Sequence, residues 1–157
     1  MLVQAEEQDA LQLAEIEAEA FPVDEAADKA GINFRIKNAK QFFLKYIIDD
    51  VLIGYVNGTL TLEPEITHDC MAEHKVEGQN LIIHSVTIVN THRKKGHGRA
   101  MLNAYLNRIR EESNVRRVLL LAKKHLCHFY ESVGFEVLRV SPIVHGKETW
   151  YELGIDI

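Results

Sequence analysis

Apolar and polar residues recur along this chain with changing periods, and the changes mark its elements. Met1 to Gln4 reads as a short strand. Beyond Asp9, the residues Leu11, Leu13, Ile16, Ala20 and Phe21 recur at helical spacing with acids between them, and Pro22 ends the run. Residues 23–38 are mixed. Asp24-Glu25-Ala26-Ala27 suits a turn or two of helix and Gly31 interrupts it, which predicts a loop with short helices. Phe42 to Ile48 and Val51 to Val56 are rich in aromatic and branched residues, with Asp49-Asp50 between them, and predict a hairpin with a tight acidic turn. Residues 63–79 hold Pro64, Gly78 and many charges without a period, so they predict the longest irregular loop. Residues 80–89 are almost wholly apolar, as a central strand covered on both faces requires, and His84 is the main exception. A polar, basic, glycine-bearing loop follows at 90–98. Ala100, Met101, Ala104, Tyr105 and Ile109 then line one face of a helix. Val118 to Leu121 predicts a short buried strand. Residues 123–133 predict a helix capped by Gly134, and 135–140 and 149–153 predict the closing strands. The order is roughly β-α-α-β-β-β-α-β-α-β-β, so the class is mixed α/β.

The length, 157 residues, suits a single domain over 1–157 that needs no staple to bury a core. The composition is 46% hydrophobic and 26% charged, which excludes a disordered or fibrous chain. Apolar runs are too short for a membrane span, and the acidic start does not resemble a signal peptide. Two cysteines, Cys70 and Cys127, make no disulfide framework and fit no zinc pattern, so a cytoplasmic, reducing home is expected. The net charge of −5 argues against nucleic acid as a partner. His68-Asp69-Cys70 with His74 matches no usual metal spacing, and no metal is expected.

Against that acidic background, Arg93-Lys94-Lys95-Gly96-His97-Gly98-Arg99 stands out, because it leaves the buried strand and opens a helix. Helix starts carry unpaired N–H groups and the positive dipole end, and glycines let a phosphate approach the backbone. A solvated basic loop is the plain alternative, and its placement between strand and helix favours an anion site. The loop is no Walker A motif, since no Lys-Ser/Thr follows its last glycine, and it lacks the third glycine of a dinucleotide fingerprint. Further on, His128-Phe129-Tyr130-Glu131-Ser132-Val133-Gly134-Phe135 reads alone as a helix with a glycine stop.

Taken in order, Arg-x-x-Gly-x-Gly after a buried strand and then Phe-Tyr-x-x-x-Gly-Phe resemble the GNAT superfamily of acyl-CoA N-acyltransferases, over nearly the whole chain. The front, Glu15 to Pro22 with Asp24 to Ala27, the run Leu81 to Ile88 and the ending Gly146 to Leu153 are similar to the arylalkylamine (serotonin) N-acetyltransferases of the fungal and protist type. The resemblance implies a three-layer α-β-α fold whose mostly antiparallel sheet splays between strands 4 and 5. It implies acetyl transfer from acetyl-CoA to a small primary amine in one ternary complex.

By the same resemblance, backbone groups of Val86, Thr87 and Ile88 pair with pantetheine, and the amides of Lys94 to Arg99, with Arg93 beside them, hold the pyrophosphate. His84 takes the amine's proton. An alkylamine of pKa about 10 must lose one before it attacks, and imidazole can accept it at neutral pH. On the residues alone, a lone strand histidine is ordinarily a hydrogen-bonded core group. Relatives carry a second histidine two residues earlier, where this chain has Ile82. Tyr130 serves as acid toward the departing thiolate. Phe21, Pro22 and Phe34 fall where the family places its amine-binding walls, with Trp150 as a further aromatic face. Asp24 and Glu25 could attract a cation, so arylalkylamines and polyamines both remain open. Loop 63–79 is expected to border the substrate site and move with the cofactor. No 14-3-3 partner is expected, because no basic phosphorylation motif flanks the domain, and a monomer is expected. Two alternatives stay open: acetyl transfer to a protein N-terminus or lysine, and a non-catalytic acyl-CoA-binding module.

Overall fold

The computed structural model describes all 157 residues, Met1–Ile157. The strands are β1 (Leu2–Gln4), β2 (Phe43–Ile48), β3 (Val51–Thr61), β4 (Asn80–Ile88), β5 (Arg117–Lys123), β6 (Glu136–Val140) and β7 (Trp150–Asp156). The helices are α1 (Ala10–Ala20), α2 (Lys29–Asn38), α3 (His68–Ala72), α4 (His97–Glu112) and α5 (Lys124–Val133). The sheet order is β1-β2-β3-β4-β5-β7-β6. Ladders β1–β2, β2–β3, β5–β7 and β6–β7 are antiparallel, and β4–β5 is parallel. The class is therefore mixed α/β, as the periodicity predicts. The parallel ladder runs from Asn80–Arg117 to Ile83–Leu120 and stops there, while β4 continues to Ile88. That is the splay expected between strands 4 and 5.

The chain divides into two compact units, one of residues 1–58 and 85–105, the other of 59–84 and 106–157. In the first, Leu13 of α1, Ile32 and Ile36 of α2, Phe43 of β2 and Tyr55 of β3 form a core with Ala5 and Ala10. The β2–β3 hairpin closes through Asp49 and Asp50, with φ of 49° and 63°. Left-handed conformation at both central residues is the two-residue turn whose twist suits a hairpin, and aspartate tolerates it.

Residues 23–38 differ from expectation, because α2 is a continuous helix of 10 residues. Gly31 lies in its first turn and donates its amide to the Asp28 carboxylate at 2.8 Å. A glycine at that place does not break the helix, since the cap, not an i−4 carbonyl, takes its N–H. Strand β3 also outruns its predicted end, reaching Thr61. Its second half carries Asn57, Thr59 and Thr61, all buried, so polar side chains conceal a core strand.

In the second unit, Ile66, Cys70, Ile82, Leu119 and Ile143 form a core around β5, which pairs with both β4 and β7. The 63–79 segment is irregular apart from α3, whose Thr67 hydroxyl accepts from the Cys70 amide at 3.2 Å. Contacts from β3 and β7 bind the segment down. The Leu60 amide donates to His74 Nδ1 at 3.0 Å, the Lys75 amide donates to the Leu60 carbonyl at 2.9 Å, and the Ile66 amide donates to buried Glu152 at 3.3 Å. Arg139 also donates to Glu152, at 2.9 Å. Gly134, at φ 114°, ends α5 in the left-handed cap its sequence predicts.

Candidate active site

The expected cofactor residues all lie in the first unit and follow one another along the chain. Val86 and Ile88 are half-buried and Thr87 is buried at the end of β4, beyond the last β4–β5 pair. The loop then turns through two left-handed residues, Lys94 at φ 61° and Gly96 at φ 83°. The Arg93 side chain donates Nε to the Ile88 carbonyl at 2.8 Å, tying the loop back to the strand. Helix α4 starts at His97, three residues earlier than its apolar stripe suggests. The Gly96 carbonyl accepts from the Ala100 amide at 3.2 Å, so the amides of His97, Gly98 and Arg99 have no partner within the helix. Lys94, Lys95 and Arg99 are exposed around them. These are the features an anion would need: three first-turn amides, the positive end of a sixteen-residue helix, and exposed cations beside them in the chain.

In the second unit, His84 is half-buried on β4, and its Nε2 lies 2.7 Å from the Thr59 hydroxyl. Ile82, on the same strand, sits in the apolar core with Leu119 and Ile143. Tyr130 lies on α5, edge-on to Phe129 at 5.1 Å and to Phe135 at 5.8 Å between ring centroids. Burial, and secondarily the Cys127 thiol, pushes its phenol well above the usual range, so it keeps its proton through neutral pH. Trp150 opens β7. Its ring nitrogen donates to the His145 carbonyl at 2.6 Å, and Lys123 Nζ stands 5.6 Å from its ring centre. Of the residues expected as amine walls, Phe21 is half-buried at the end of α1, while Pro22 and Phe34 are exposed.

Sequence reasoning passed over a buried polar cluster in the first unit. Glu17 falls on the buried face of α1 with Ala10 and Leu13 and is almost fully enclosed. Its Oε1 accepts from the Tyr55 hydroxyl at 2.6 Å and from the Ser85 hydroxyl at 2.9 Å, and its Oε2 accepts from the Ala27 amide at 3.0 Å. Burial, then the adjacent carboxylate, pushes the Tyr55 phenol far up. Arg35 is held below its ordinary value by desolvation, against the opposing pull of Glu17, Tyr55 and Asp28. Its NH1 donates to the Asn57 side-chain oxygen at 3.2 Å. The legible signal was an acid recurring at the spacing of an apolar stripe.

Two of the residues considered for a metal, Cys70 and His74, are otherwise engaged. Cys70 Sγ caps α3 through the Thr67 amide at 3.0 Å, and His74 Nδ1 anchors Leu60. No group of three or more histidine, cysteine, aspartate or glutamate side chains in the chain could hold an ion.

The family model described as acetyltransferase (GNAT) family matches residues 10–135. This chain belongs to the GNAT acetyltransferase family. The match spans α1, the 93–99 loop and α5, so the basic loop and Tyr130 both fall within it. Serotonin N-acetyltransferase of Mesocricetus auratus is 26% identical over 155 residues, covering 93% of this chain and 72% of that protein. Among solved structures, the loading GNATL domain of CurA from Lyngbya majuscula superposes with a TM-score of 0.88 at 14% identity, over 99% of this chain and 96% of the other. The GphF GNAT-like decarboxylase, in complex with isobutyryl-CoA, superposes with a TM-score of 0.85 at 14% identity, over 99% and 98%. The protein is a GNAT N-acetyltransferase, and no helix in it is long and apolar enough to cross a membrane.

Proposed function

We propose that this protein transfers acetyl from acetyl-CoA to a small primary amine, directly and without an acyl-enzyme. The observation that carries the reading is the run from Val86 to Arg99. Strand β4 outlasts its β5 ladder and leads straight into an anion-binding helix start. Main-chain groups of Val86 to Ile88 suit the amide-rich pantetheine arm, and the amides of His97 to Arg99 suit the pyrophosphate. The relative solved with isobutyryl-CoA supports a CoA thioester as the bound species.

His84 takes the amine's proton in this reading. Its hydrogen bond to Thr59 fixes the ring and offers a hydroxyl through which the proton can leave. Tyr130 serves the departing sulfur in this reading. A free thiol titrates at about 8.5, so a phenol whose value is raised by burial does not surrender its proton fully to the thiolate. It stabilises the developing charge by donating a hydrogen bond. The likeness to serotonin N-acetyltransferase favours an arylalkylamine substrate, with Phe21, Pro22, Phe34 and Trp150 as its apolar walls.

The test is the rate of CoA-thiol release from acetyl-CoA with tryptamine, phenethylamine, spermidine and a lysine peptide run separately. The reading expects fast turnover of an arylalkylamine, slowed in His84→Ala and Tyr130→Phe. Turnover of the peptide alone would replace the substrate class with a protein amine.

A further inference from the structure

We propose that Glu17 is a positioning residue that sets amine recognition, by tying the chain segment 22–28 to the site strand β4. The proposal rests on the reading of function above. One carboxylate joins four stretches of chain that are distant in sequence. Oε2 holds the Ala27 amide at 3.0 Å, at the end of the segment that begins with Phe21 and Pro22. Oε1 holds Ser85, next to His84 on β4, at 2.9 Å, and Tyr55 of β3 at 2.6 Å.

Segment 22–28 meets the rest of its unit through Ala27, which packs against the core, and through Asp28, which caps α2. Its amides at Glu25 and Ala26 bond locally to the Pro22 carbonyl, and Val23 is 97% exposed. The Ala27–Glu17 bond joins it to the carboxylate that also holds Ser85 and Tyr55. All three donors point at the carboxylate, so Glu17 acts here only as an acceptor. Burying a carboxylate is costly, and apolar residues would fill the same space at lower cost. Arg35 supplies its counter-charge through α2, which makes a neutral amide a poor substitute. The geometry therefore fixes the apolar wall at Phe21 and Pro22 relative to Ser85 and the strand beyond it. Cutting the tether at its Ala27 end leaves Oε1 on Ser85, so the pantetheine strand beyond it stays in place and acetyl-CoA binding is spared.

Two variants test this. Glu17→Gln places an amide N–H against the Ala27 N–H. Ala27→Pro removes that donor while leaving the Glu17 carboxylate bonded to Tyr55 and Ser85, so it remains informative if the first variant folds poorly. In each, KM for the amine, KM for acetyl-CoA and kcat are measured, with hydrogen exchange across residues 22–28 in the cofactor-free protein. Loss of a charge-assisted bond at the tether is expected to raise amine KM about tenfold or more. Acetyl-CoA KM stays within about twofold, and exchange across 22–28 accelerates. Equal changes in both KM values, or unchanged exchange in both variants, would overturn the proposal. If the wild type turns over no amine, the functional reading fails and the exchange measurement alone decides whether the tether exists.

Discussion

Gly54 lies on β3 against the strand that carries the expected pantetheine contacts. A Cβ built there would sit 2.5 Å from the Thr87 carbonyl oxygen, 2.7 Å from Ile88 Cδ1 and 3.0 Å from Met101 Sδ. The isoleucine and methionine can rotate, but the carbonyl is main chain. Carbon and oxygen rest at about 3.3 Å, so Gly54→Ala must move β4 at Thr87 by about 0.8 Å. Overpacking of this kind costs about 1–3 kcal/mol, and a main-chain clash belongs at the upper end. For a chain of 157 residues, about 3 kcal/mol lowers Tm by about 9 °C. Thermal unfolding followed by circular dichroism reads that shift, and calorimetric titration with acetyl-CoA reads its consequence at the site, a loss of affinity of about tenfold. Gly31→Ala is the matched control. Its Cβ meets only Asp28 Oδ1 at 3.4 Å and Ala27 Cβ at 3.8 Å, and alanine favours the helix, so Tm rises slightly. A Gly54→Ala protein with Tm within about 2 °C of wild type and unchanged acetyl-CoA affinity would refute the packing argument.

Gly96→Ala meets nothing within 4 Å, so its cost is purely the φ of 83°. That is about 1–2 kcal/mol, read as acetyl-CoA binding weakened about fivefold or more by calorimetry. Tyr130→Phe removes a hydrogen-bond donor and is expected to lower kcat about a hundredfold with little change in Tm, measured by steady-state kinetics and thermal unfolding. The phenols of Tyr55, Tyr105 and Tyr130 are all raised by burial. Raised values favour the protonated folded state, so their contribution is complete below the unfolded value of about 10 and is lost as pH rises past it. Urea titrations should show stability falling above about pH 10. His74 is lowered by burial, so its contribution is present above its unfolded value of about 6.5 and is lost as pH falls. His74→Gln should flatten that acid limb in the same titrations.

Most elements were legible because their signals are local. Leu81 to Ile88 is a buried strand by composition alone, and Gly134 announces the end of α5 by the conformation only glycine takes readily. The splay also followed, through the resemblance carried by the 93–99 loop and the Phe129-Tyr130 motif. What was missed depends on partners far away in sequence. Gly31 looked like a helix breaker because its Asp28 cap could not be weighed against it. The second half of β3 carries no strand signal because Asn57, Thr59 and Thr61 are polar, although all three are buried, with Asn57 bonded to Arg35 of α2 and Thr59 to His84 of β4. Glu17 looked like one more acid on an acidic helix, since its donors lie on β3, on β4 and after Pro22. The candidate site was half-legible for the same reason. The anion loop is contiguous, so it could be read as a unit, and its Arg93 tie to Ile88 adds only detail. Thr59 beside His84 joins strands 25 positions apart, and no spacing announces it.

The most direct test of acetyl transfer to a small amine follows both possible fates of a CoA thioester in the wild-type protein. Acetyl-CoA with tryptamine is assayed for N-acetyltryptamine by mass spectrometry, and malonyl-CoA without amine is assayed for released carbon dioxide. The account predicts stoichiometric acetylamine and free CoA in the first, and no carbon dioxide above background in the second. Carbon dioxide release with no acetylated product from any amine tried would contradict it.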